Sequence, residues 1–445
     1  MRVLLINPFS SYKLSGIRFQ LPNPSLAAVY AIIKNSGFEA DLCDFQALDE
    51  PNLIFVDSFL QQHSYGIIGI SANIDSIEHV SDLITHIRKI NSQTPILIGG
   101  ATVTHQPEMW VRETGADIAV IGEAEITLPE LLSAIKANSD IDKVSGIAYR
   151  KDSKILKTAR REPLKSLKNV PFPDYSLFNL ESYFGNPNMK FHFNGKNGLY
   201  LMVSRGCPYR CSFCCSWSVS MRTFETRRII DEIDRLISYH RLESIFVRDD
   251  NFTLNPKRAK AIAQALGKAG ISWTCMSRPN LLNRGGDKQL LEYMAENGCE
   301  TVMTGVESYN QQVLDINCKD ISVADVDAAI DNCQKTKIRT VAFIIFGLPG
   351  ETEESISQTL RFIERSGVQL NSSILQVLPG TPIYTDAIKQ GKILDEIRYL
   401  KDFHYFWDSE KFLPANMTCL PDDVIIHANK EANRVRLKSK FLINY

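Results

Sequence analysis

Short runs of apolar residues alternate with longer amphipathic segments along most of this chain. The first run, residues 2–6, is followed by Asn23 and Pro24, which predict the start of a helix that ends before Gly37. Between residues 76 and 90, apolar residues recur every three or four positions, as on one face of a helix. Uninterrupted apolar strands between such helices are typical of parallel sheets that are covered on both faces.

Five such strands are predicted in the first third of the chain. They cover residues 2–6, 40–45, 66–71, 95–98 and 117–121. Strands that alternate with helices in this way predict an α/β fold, with a doubly wound parallel sheet over residues 1–141. Sheets of this kind bind ligands beyond the carboxyl ends of their strands.

A second series of strands follows a segment that breaks the rhythm. Residues 142–196 contain a predicted hairpin at 146–158 and several prolines, so they are assigned to a connector. Six strand–helix units are then predicted over 197–385, and six units form an open, partial (β/α)6 barrel because eight are needed to close one. Their strands cover residues 199–204, 244–248, 272–277, 301–306, 339–346 and 373–377. Residues 386–445 form a C-terminal extension that includes an aromatic cluster at 403–407.

Composition and charge narrow the class of protein. The 445 residues are 44% hydrophobic, and 50 Lys and Arg face 51 Asp and Glu, so no net field favours binding to a nucleic-acid backbone. Ten cysteines without a secretory signal indicate a reducing compartment, and we expect the cytoplasm. The apolar runs are too short for an integral membrane segment.

Three of the cysteines fall in one short motif. The run from Cys207 through Cys211 to Cys214 has the spacing Cys-x-x-x-Cys-x-x-Cys and directly follows a predicted strand. Structural zinc takes four protein ligands, yet no histidine lies between residues 200 and 239, although a fourth ligand from elsewhere stays open. A 4Fe-4S cluster held by three cysteines keeps one iron free to bind a substrate.

This motif and the strand–helix series after it resemble the radical S-adenosylmethionine (SAM) superfamily. The resemblance implies that Cys207, Cys211 and Cys214 hold a 4Fe-4S cluster, which cleaves SAM to a 5′-deoxyadenosyl radical. It also implies roles for residues at the strand ends. Phe213 would lie near the adenine, Asp249 would contact the methionine amino group, and Glu307 and Ser308 would contact the ribose. Loop packing for Phe213 and helix capping for Asp249 are the open alternatives.

The N-terminal sheet resembles the cobalamin-binding domain of cobalamin-dependent radical SAM enzymes. The loops after its third, fourth and fifth strands would cradle the nucleotide tail of cobalamin; tight turns are the alternative interpretation. The residues assigned to this site are Ser71, Asn73, Gly99, Gly100, Gly122 and Glu123. Cobalamin domains with a histidine lower ligand carry Asp-x-His-x-x-Gly after the first strand, whereas residues 10–13 here are Ser-Ser-Tyr-Lys. We therefore expect base-off cobalamin without a protein histidine ligand, or a domain that has lost cobalamin.

Together these resemblances imply a cobalamin-dependent radical SAM C-methyltransferase. One SAM would methylate cobalamin, a second would give the radical that abstracts a substrate hydrogen, and methylcobalamin would then deliver the methyl group. Three alternatives stay open: a cyclase or rearrangement enzyme with the same cofactors, a transfer-RNA methylthiotransferase, and a non-enzymic corrinoid or iron–sulfur sensor. The implied partners are an external electron donor such as flavodoxin or ferredoxin and an unidentified small-molecule, lipid or peptide substrate.

Overall fold

The structure is a computed structural model in which two compact units can be distinguished. It describes residues 1–9, 13–14, 17–18, 21–48, 52–184, 193, 196–216, 219–282, 288–403, 413 and 415–438. The N-terminal unit comprises Met1–Lys165, Asn169–Met189 and Asp395–Asp408. The C-terminal unit comprises Ser166–Lys168, Lys190–Leu394 and Ser409–Tyr445. In this division the predicted connector and the predicted C-terminal extension are each shared between the two units.

A seven-stranded sheet forms the centre of the N-terminal unit. Its strands are β1 (Arg2–Asn7), β2 (Glu39–Asp44), β3 (Ile67–Ser71), β4 (Ile96–Gly99), β5 (Ile118–Val120), β6 (Ile147–Lys151) and β7 (Lys154–Lys157). The order in space is β2-β1-β3-β4-β5-β6-β7. The first five strands run parallel, and they confirm the predicted doubly wound sheet. The order reverses beside β1, which is where open α/β sheets place their ligand crevice.

The predicted hairpin extends this sheet instead of linking two domains. Strand β6 pairs antiparallel with β5, with Ala119 opposite Ala148, and β7 pairs antiparallel with β6. Residues Ile147, Ala148 and Tyr149 are buried. The hairpin therefore covers the edge of β5, which would otherwise expose unpaired backbone groups. The pairing of β6 with β5 was not predicted from the sequence, because helix α6 and a turn separate the two strands in the chain.

Helices follow most strands of the N-terminal unit. They are α1 (Pro24–Asn35), α2 (Phe55–Gln62), α3 (Ile77–Ile90), α4 (Ala101–His105), α5 (Pro107–Thr114), α6 (Ala124–Lys136) and α7 (Leu180–Phe184). The predicted start of α1 is confirmed, because the Asn23 side chain accepts hydrogen bonds from the N–H groups of Ser25 and Leu26. In α3, the predicted apolar positions Val80, Ile84 and Ile87 are buried.

Six parallel strands in sequence order form the sheet of the C-terminal unit. They are β8 (Gly198–Met202), β9 (Ser244–Arg248), β10 (Ser272–Ser277), β11 (Cys299–Glu307), β12 (Arg339–Phe346) and β13 (Gln369–Ile374). This arrangement confirms the predicted partial barrel. The last strand begins four residues earlier than predicted, since it alternates buried and half-buried residues and carries the polar pair Asn371 and Ser372. An apolar-run criterion misses a strand of this composition.

The helices of the C-terminal unit lie between its strands and at its end. They are α8 (Thr226–His240), α9 (Pro256–Lys268), α10 (Pro279–Leu282), α11 (Lys288–Glu296), α12 (Gln311–Ile316), α13 (Val323–Lys335), α14 (Glu353–Ser366), α15 (Pro382–Lys389) and α17 (Asp422–Lys438). Helix α16 (Glu396–Asp402) belongs to the N-terminal unit, where its Lys401 pairs with Glu113. Of the predicted aromatic cluster, Phe403 is buried and residues 404–407 lie outside the described residues. Within the described part of the chain, no helix is both long enough and apolar enough to span a membrane.

Candidate active site

The three motif cysteines lie on a loop that follows β8. The loop is closed by a hydrogen bond from Cys207 N to Ser216 O of 3.2 Å. It is also tied down in its middle, where Ser212 donates from N and from Oγ to Asn317 at 3.0 Å each. Gly206, with φ +81°, opens the loop, and a Cβ there would lie 2.3 Å from the carbonyl oxygen of Val219. Only glycine allows the loop to turn back so closely.

Each of the three cysteine sulfurs accepts a hydrogen bond from a nitrogen donor. Asn251 Nδ2 lies 3.2 Å from Cys207 Sγ, and Arg278 Nη1 lies 3.4 Å from Cys211 Sγ. The third donor is the backbone N–H of Ser216, 3.4 Å from Cys214 Sγ. N–H donors to sulfur stabilise thiolates, and hydrogen bonds of this kind surround the sulfurs of iron–sulfur clusters. The donor set therefore fits an iron–sulfur cluster.

Protonation matters at these sulfurs because only thiolates bind a metal. Burial raises the pKa of Cys207 and of Cys214, and hydrogen bonds from neighbouring N–H groups oppose the rise. Among the described residues, no group of three or more His, Cys, Asp or Glu side chains is gathered tightly enough for a single metal ion. The cluster assignment therefore rests on the donors to the sulfurs.

Asp249 is held inside the protein. Its side chain is fully buried, its Oδ2 lies 2.6 Å from Arg258 Nη2, and its Oδ1 accepts from Asn251 N at 2.9 Å. The carboxylate predicted to meet the methionine amino group therefore already has a charged partner. The next residue, Asp250, forms a hydrogen bond with Ser216 of the cysteine loop. Burial raises the pKa of Asp250, and that hydrogen bond partly opposes the rise.

Glu307 and Phe213, predicted to contact the ribose and the adenine, both approach Lys319. Lys319 Nζ lies 2.7 Å from Glu307 Oε1, and both side chains are buried. The same Nζ lies 5.9 Å from the centre of the Phe213 ring. Glu307 also has φ +63°, a conformation that non-glycine residues adopt mainly where the surrounding structure enforces it. Its neighbour Ser308 is 1% exposed, and its Oγ has no hydrogen-bond partner among the described residues.

The six residues predicted to contact cobalamin lie at the carboxyl ends of β3, β4 and β5, which are neighbours in the sheet. The first two loops touch, since Ala72 N donates to Gly99 O at 2.8 Å. A Cβ on Gly100 would lie 1.9 Å from the Ala72 carbonyl oxygen. Gly100 is therefore required by this contact between loops, as the tight-turn alternative proposed.

Gly99 and Gly122 differ from Gly100. A Cβ on Gly99 would meet nothing closer than Val120 Cβ at 3.9 Å, and one on Gly122 would meet nothing within 4 Å. Packing within the unit therefore requires neither glycine, although the φ of +80° at Gly122 favours glycine there, as in the tight-turn alternative. The space beside both backbones suits a ligand that lies against the loops. Ser71 Oγ accepts from Asn23 Nδ2 at 3.3 Å. The strand ends therefore fit a bound nucleotide tail.

The other two predicted cobalamin contacts serve local structure. The backbone N–H of Asn73 donates to Ser76 Oγ at 2.9 Å, as part of a capping box. Glu123 accepts from Leu164 N at 2.8 Å. The Asn73 backbone and the Glu123 side chain thus hold their own loops in place.

The sequence analysis missed several functional candidates. Arg278, Lys319 and the amide of Asn251 were assigned no role, although each approaches the cysteine loop. Glu351 is a further candidate, because its buried carboxylate accepts from Gly347 N at 2.6 Å, and burial raises its pKa to about 8. Arg278 and Asn251 directly follow strands of the barrel, where catalytic residues of such folds concentrate, and this position could have identified them.

Protein-family models match two parts of the chain. The radical SAM superfamily model matches residues 201–363, and the B12 binding domain model matches residues 15–132. The first covers the cysteine motif and five of the six barrel strands, and the second covers the loops after β3, β4 and β5. The two models therefore fall on the two sites that the structure places at strand ends.

Individual relatives have the same organisation. An uncharacterised methyltransferase of Pyrococcus horikoshii is 28% identical, over 88% of this chain and 84% of its own length. An anaerobic magnesium-protoporphyrin IX monomethyl ester cyclase of Rubrivivax gelatinosus is 26% identical, over 94% of this chain and 79% of its own length.

Among solved structures, the radical SAM methyltransferase TsrM of Kitasatospora setae, with cobalamin and a 4Fe-4S cluster bound, aligns with a TM-score of 0.72. It is 18% identical and covers 88% of this chain and 75% of its own. This likeness shows a shared fold. With the two family models and the cysteine and glycine loops in place, this chain is an enzyme whose cofactors are a 4Fe-4S cluster, SAM and cobalamin. Its radical SAM and B12 binding domains make it similar to the cobalamin-dependent radical SAM methyltransferases.

Proposed function

We propose that this enzyme methylates a carbon atom of its substrate by radical chemistry. When bound, the cluster with SAM would supply hydrogen-atom abstraction, and cobalamin would supply a transferable methyl group. The observation that carries the proposal is the set of three cysteine sulfurs, each of which receives an N–H donor. The chain's own residues hold and orient the cofactors and exclude water.

In this proposal, the SAM site is lined by residues around the cysteine loop. Phe213 packs on the adenine, and the unpartnered Ser308 Oγ bonds the ribose together with Glu307. Asp250 contacts the methionine amino group, because Asp249 already forms an ion pair with Arg258. Asp249 then acts as a positioning residue: it fixes the Asn251 backbone, whose side chain bonds Cys207.

The cobalamin site lies along β3, β4 and β5 in this proposal. The backbones of Gly99 and Gly122 would lie against the nucleotide tail, and Ser71 would offer its hydroxyl. We expect base-off cobalamin without a histidine from the protein. Electron paramagnetic resonance of the cob(II)alamin form tests this expectation, since a histidine nitrogen ligand would split the spectrum further.

The partners follow from the chemistry. Reductive cleavage of SAM needs one electron at low potential, and a flavodoxin or ferredoxin would supply it. The ten cysteines and an oxygen-sensitive cluster suit a reducing compartment, for which we propose the cytoplasm. A cyclase is the second candidate function, because a relative named as a cyclase aligns over most of this chain.

The test is an anaerobic assay of the fully loaded protein. After reconstitution with iron, sulfide and cobalamin, SAM and a low-potential reductant are added, and 5′-deoxyadenosine and S-adenosylhomocysteine are quantified by mass spectrometry. Both products, with S-adenosylhomocysteine lost when cobalamin is omitted, would support methyl transfer. Deoxyadenosine alone would favour the cyclase. The absence of both products would contradict both functions. Cys215→Ala is the matched control for Cys214→Ala, because it removes a neighbouring thiol outside the motif.

A further inference from the structure

Arg278 is held against the cysteine loop by two contacts. It follows β10 directly, and its Nη1 donates to Cys211 Sγ at 3.4 Å. Its guanidinium carbon lies 3.7 Å from the centre of the Tyr209 ring, which is van der Waals contact. Tyr209 and Cys211 both belong to the cysteine loop, so the loop fixes the orientation of the guanidinium that bonds it.

Within the described part of the chain, the positive charge of Arg278 has no carboxylate partner. Arg278 is only 6% exposed, and its Nε and Nη2 are buried without a hydrogen-bond partner among the described residues. No described carboxylate lies within ion-pair distance of it, whereas the other buried cations of this site, Arg258 and Lys319, each pair with a carboxylate. A buried cation without a carboxylate partner is strongly unfavourable, so this site is built for an anion other than the described carboxylates.

The three donors to the cysteine sulfurs are not equivalent. Asn251 Nδ2 and Ser216 N are neutral, and only Arg278 carries a charge. An iron–sulfur cluster bound by three thiolates is an anion, and one-electron reduction makes it more negative. A nearby cation therefore stabilises the reduced state more than the oxidised state, and charge and hydrogen bonding around the sulfurs set the reduction potential.

We propose that Arg278 is a positioning residue that raises the reduction potential of the cluster and so eases delivery of the electron that cleaves SAM. The inference rests on the cluster of the proposed function but not on methyl transfer. The step itself is the transfer of one electron from an external low-potential donor to the oxidised cluster. The donor is oxidised by one electron, and no bond or proton of the protein changes.

The test is a redox titration with dithionite and mediators, monitored by electron paramagnetic resonance, on the reconstituted protein without SAM. Arg278→Gln should shift the midpoint potential to a more negative value than in the wild type. Arg278→Lys should lie between the two, because it keeps the charge but not the fixed contact. Asn251→Ala is the matched control, since it removes a neutral N–H donor to sulfur, and its shift should be smaller than that of Arg278→Gln.

Three results would overturn the inference: an unchanged potential in Arg278→Gln, a Lys variant that follows the Gln variant, or an equal shift in Asn251→Ala. Thermal unfolding of the cluster-free proteins adds a second readout. Without the cluster, Arg278→Gln should unfold no earlier than the wild type, because it removes an uncompensated charge. An earlier transition would mean that Arg278 has a purely structural role. If the wild-type protein with cluster and cobalamin bound transfers no methyl group, the proposed function is contradicted. The potentials and unfolding temperatures would still test the role of Arg278.

Discussion

The strand ends of the two units carry different kinds of residues. In the N-terminal unit, the loops after β3, β4 and β5 carry small residues, and backbone groups such as Ala72 N and Gly99 O hold them together. In the C-terminal unit, the strand ends carry buried charges, with Asp249 2%, Arg278 6% and Glu307 7% exposed. The first arrangement suits a large ligand that lies along a backbone. The second suits an inorganic cluster and a charged cosubstrate, because buried charges act strongly where water is excluded.

The comparison predicts that single side chains decide function in the C-terminal unit, and the cysteines should show the largest effect. Cys207→Ala, Cys211→Ala or Cys214→Ala should abolish cluster binding, since three protein ligands are the minimum for this cluster. Iron content and the visible absorption of the reconstituted protein measure the loss. Cys215→Ala should keep the iron content and the visible absorption of the wild type. A Cys215 variant without iron would show that the motif has been assigned wrongly.

The ion pair of Lys319 and Glu307 should show the next largest effect. Lys319→Met leaves a buried carboxylate unpaired, so the free energy of unfolding should fall by about 3–5 kcal/mol. Chemical denaturation of the cluster-free protein measures the change. The double variant with Glu307→Gln should recover much of this loss. Lys335→Met breaks an exposed pair with Asp331, and we expect a change of less than about 1 kcal/mol.

In the N-terminal unit, the contrast lies between two adjacent glycines. Gly100→Ala forces a Cβ to within 1.9 Å of the Ala72 carbonyl oxygen, and we expect a loss of about 2 kcal/mol or more in stability. Gly99→Ala meets no atom closer than 3.9 Å, so stability should hold while cobalamin affinity falls. Thermal unfolding and cobalamin binding by absorption separate the two effects. Equal cobalamin affinity in the wild type and Gly99→Ala would place the ligand elsewhere.

A further prediction concerns the pH dependence of stability. Burial raises the pKa of Glu351 from 4.5 to about 8, so the folded state binds its proton more tightly than the unfolded chain. Folding is therefore favoured at low pH, and this contribution is lost as the pH rises from about 4.5 to about 8. Denaturation at several pH values should show a shallower pH dependence for Glu351→Gln than for the wild type. An identical dependence would mean that Glu351 does not titrate in this range.

Much of the fold was accessible from the sequence because its signals are local. Apolar runs located the strands, and Asn23 located the start of α1. The pairing of the hairpin with β5 and the early start of β13 were missed because contacts with another strand, not local composition, decide them. For the candidate site, the predicted cysteines share one loop and each accepts from an N–H donor. The role of Asp249, by contrast, can be judged only when its partner Arg258 is known.

The sequence alone determined the two domain types, the cysteine motif and the small-residue loops, since spacing along the chain carries that information. Only the tertiary structure decided which charges are paired. Asp249 and Arg258 are nine residues apart, Glu307 and Lys319 twelve, and Cys211 and Arg278 sixty-seven. No local pattern records such contacts. They arise when parallel strands bring their carboxyl ends to one edge, which is why the unpaired charge of Arg278 became visible only in the folded chain.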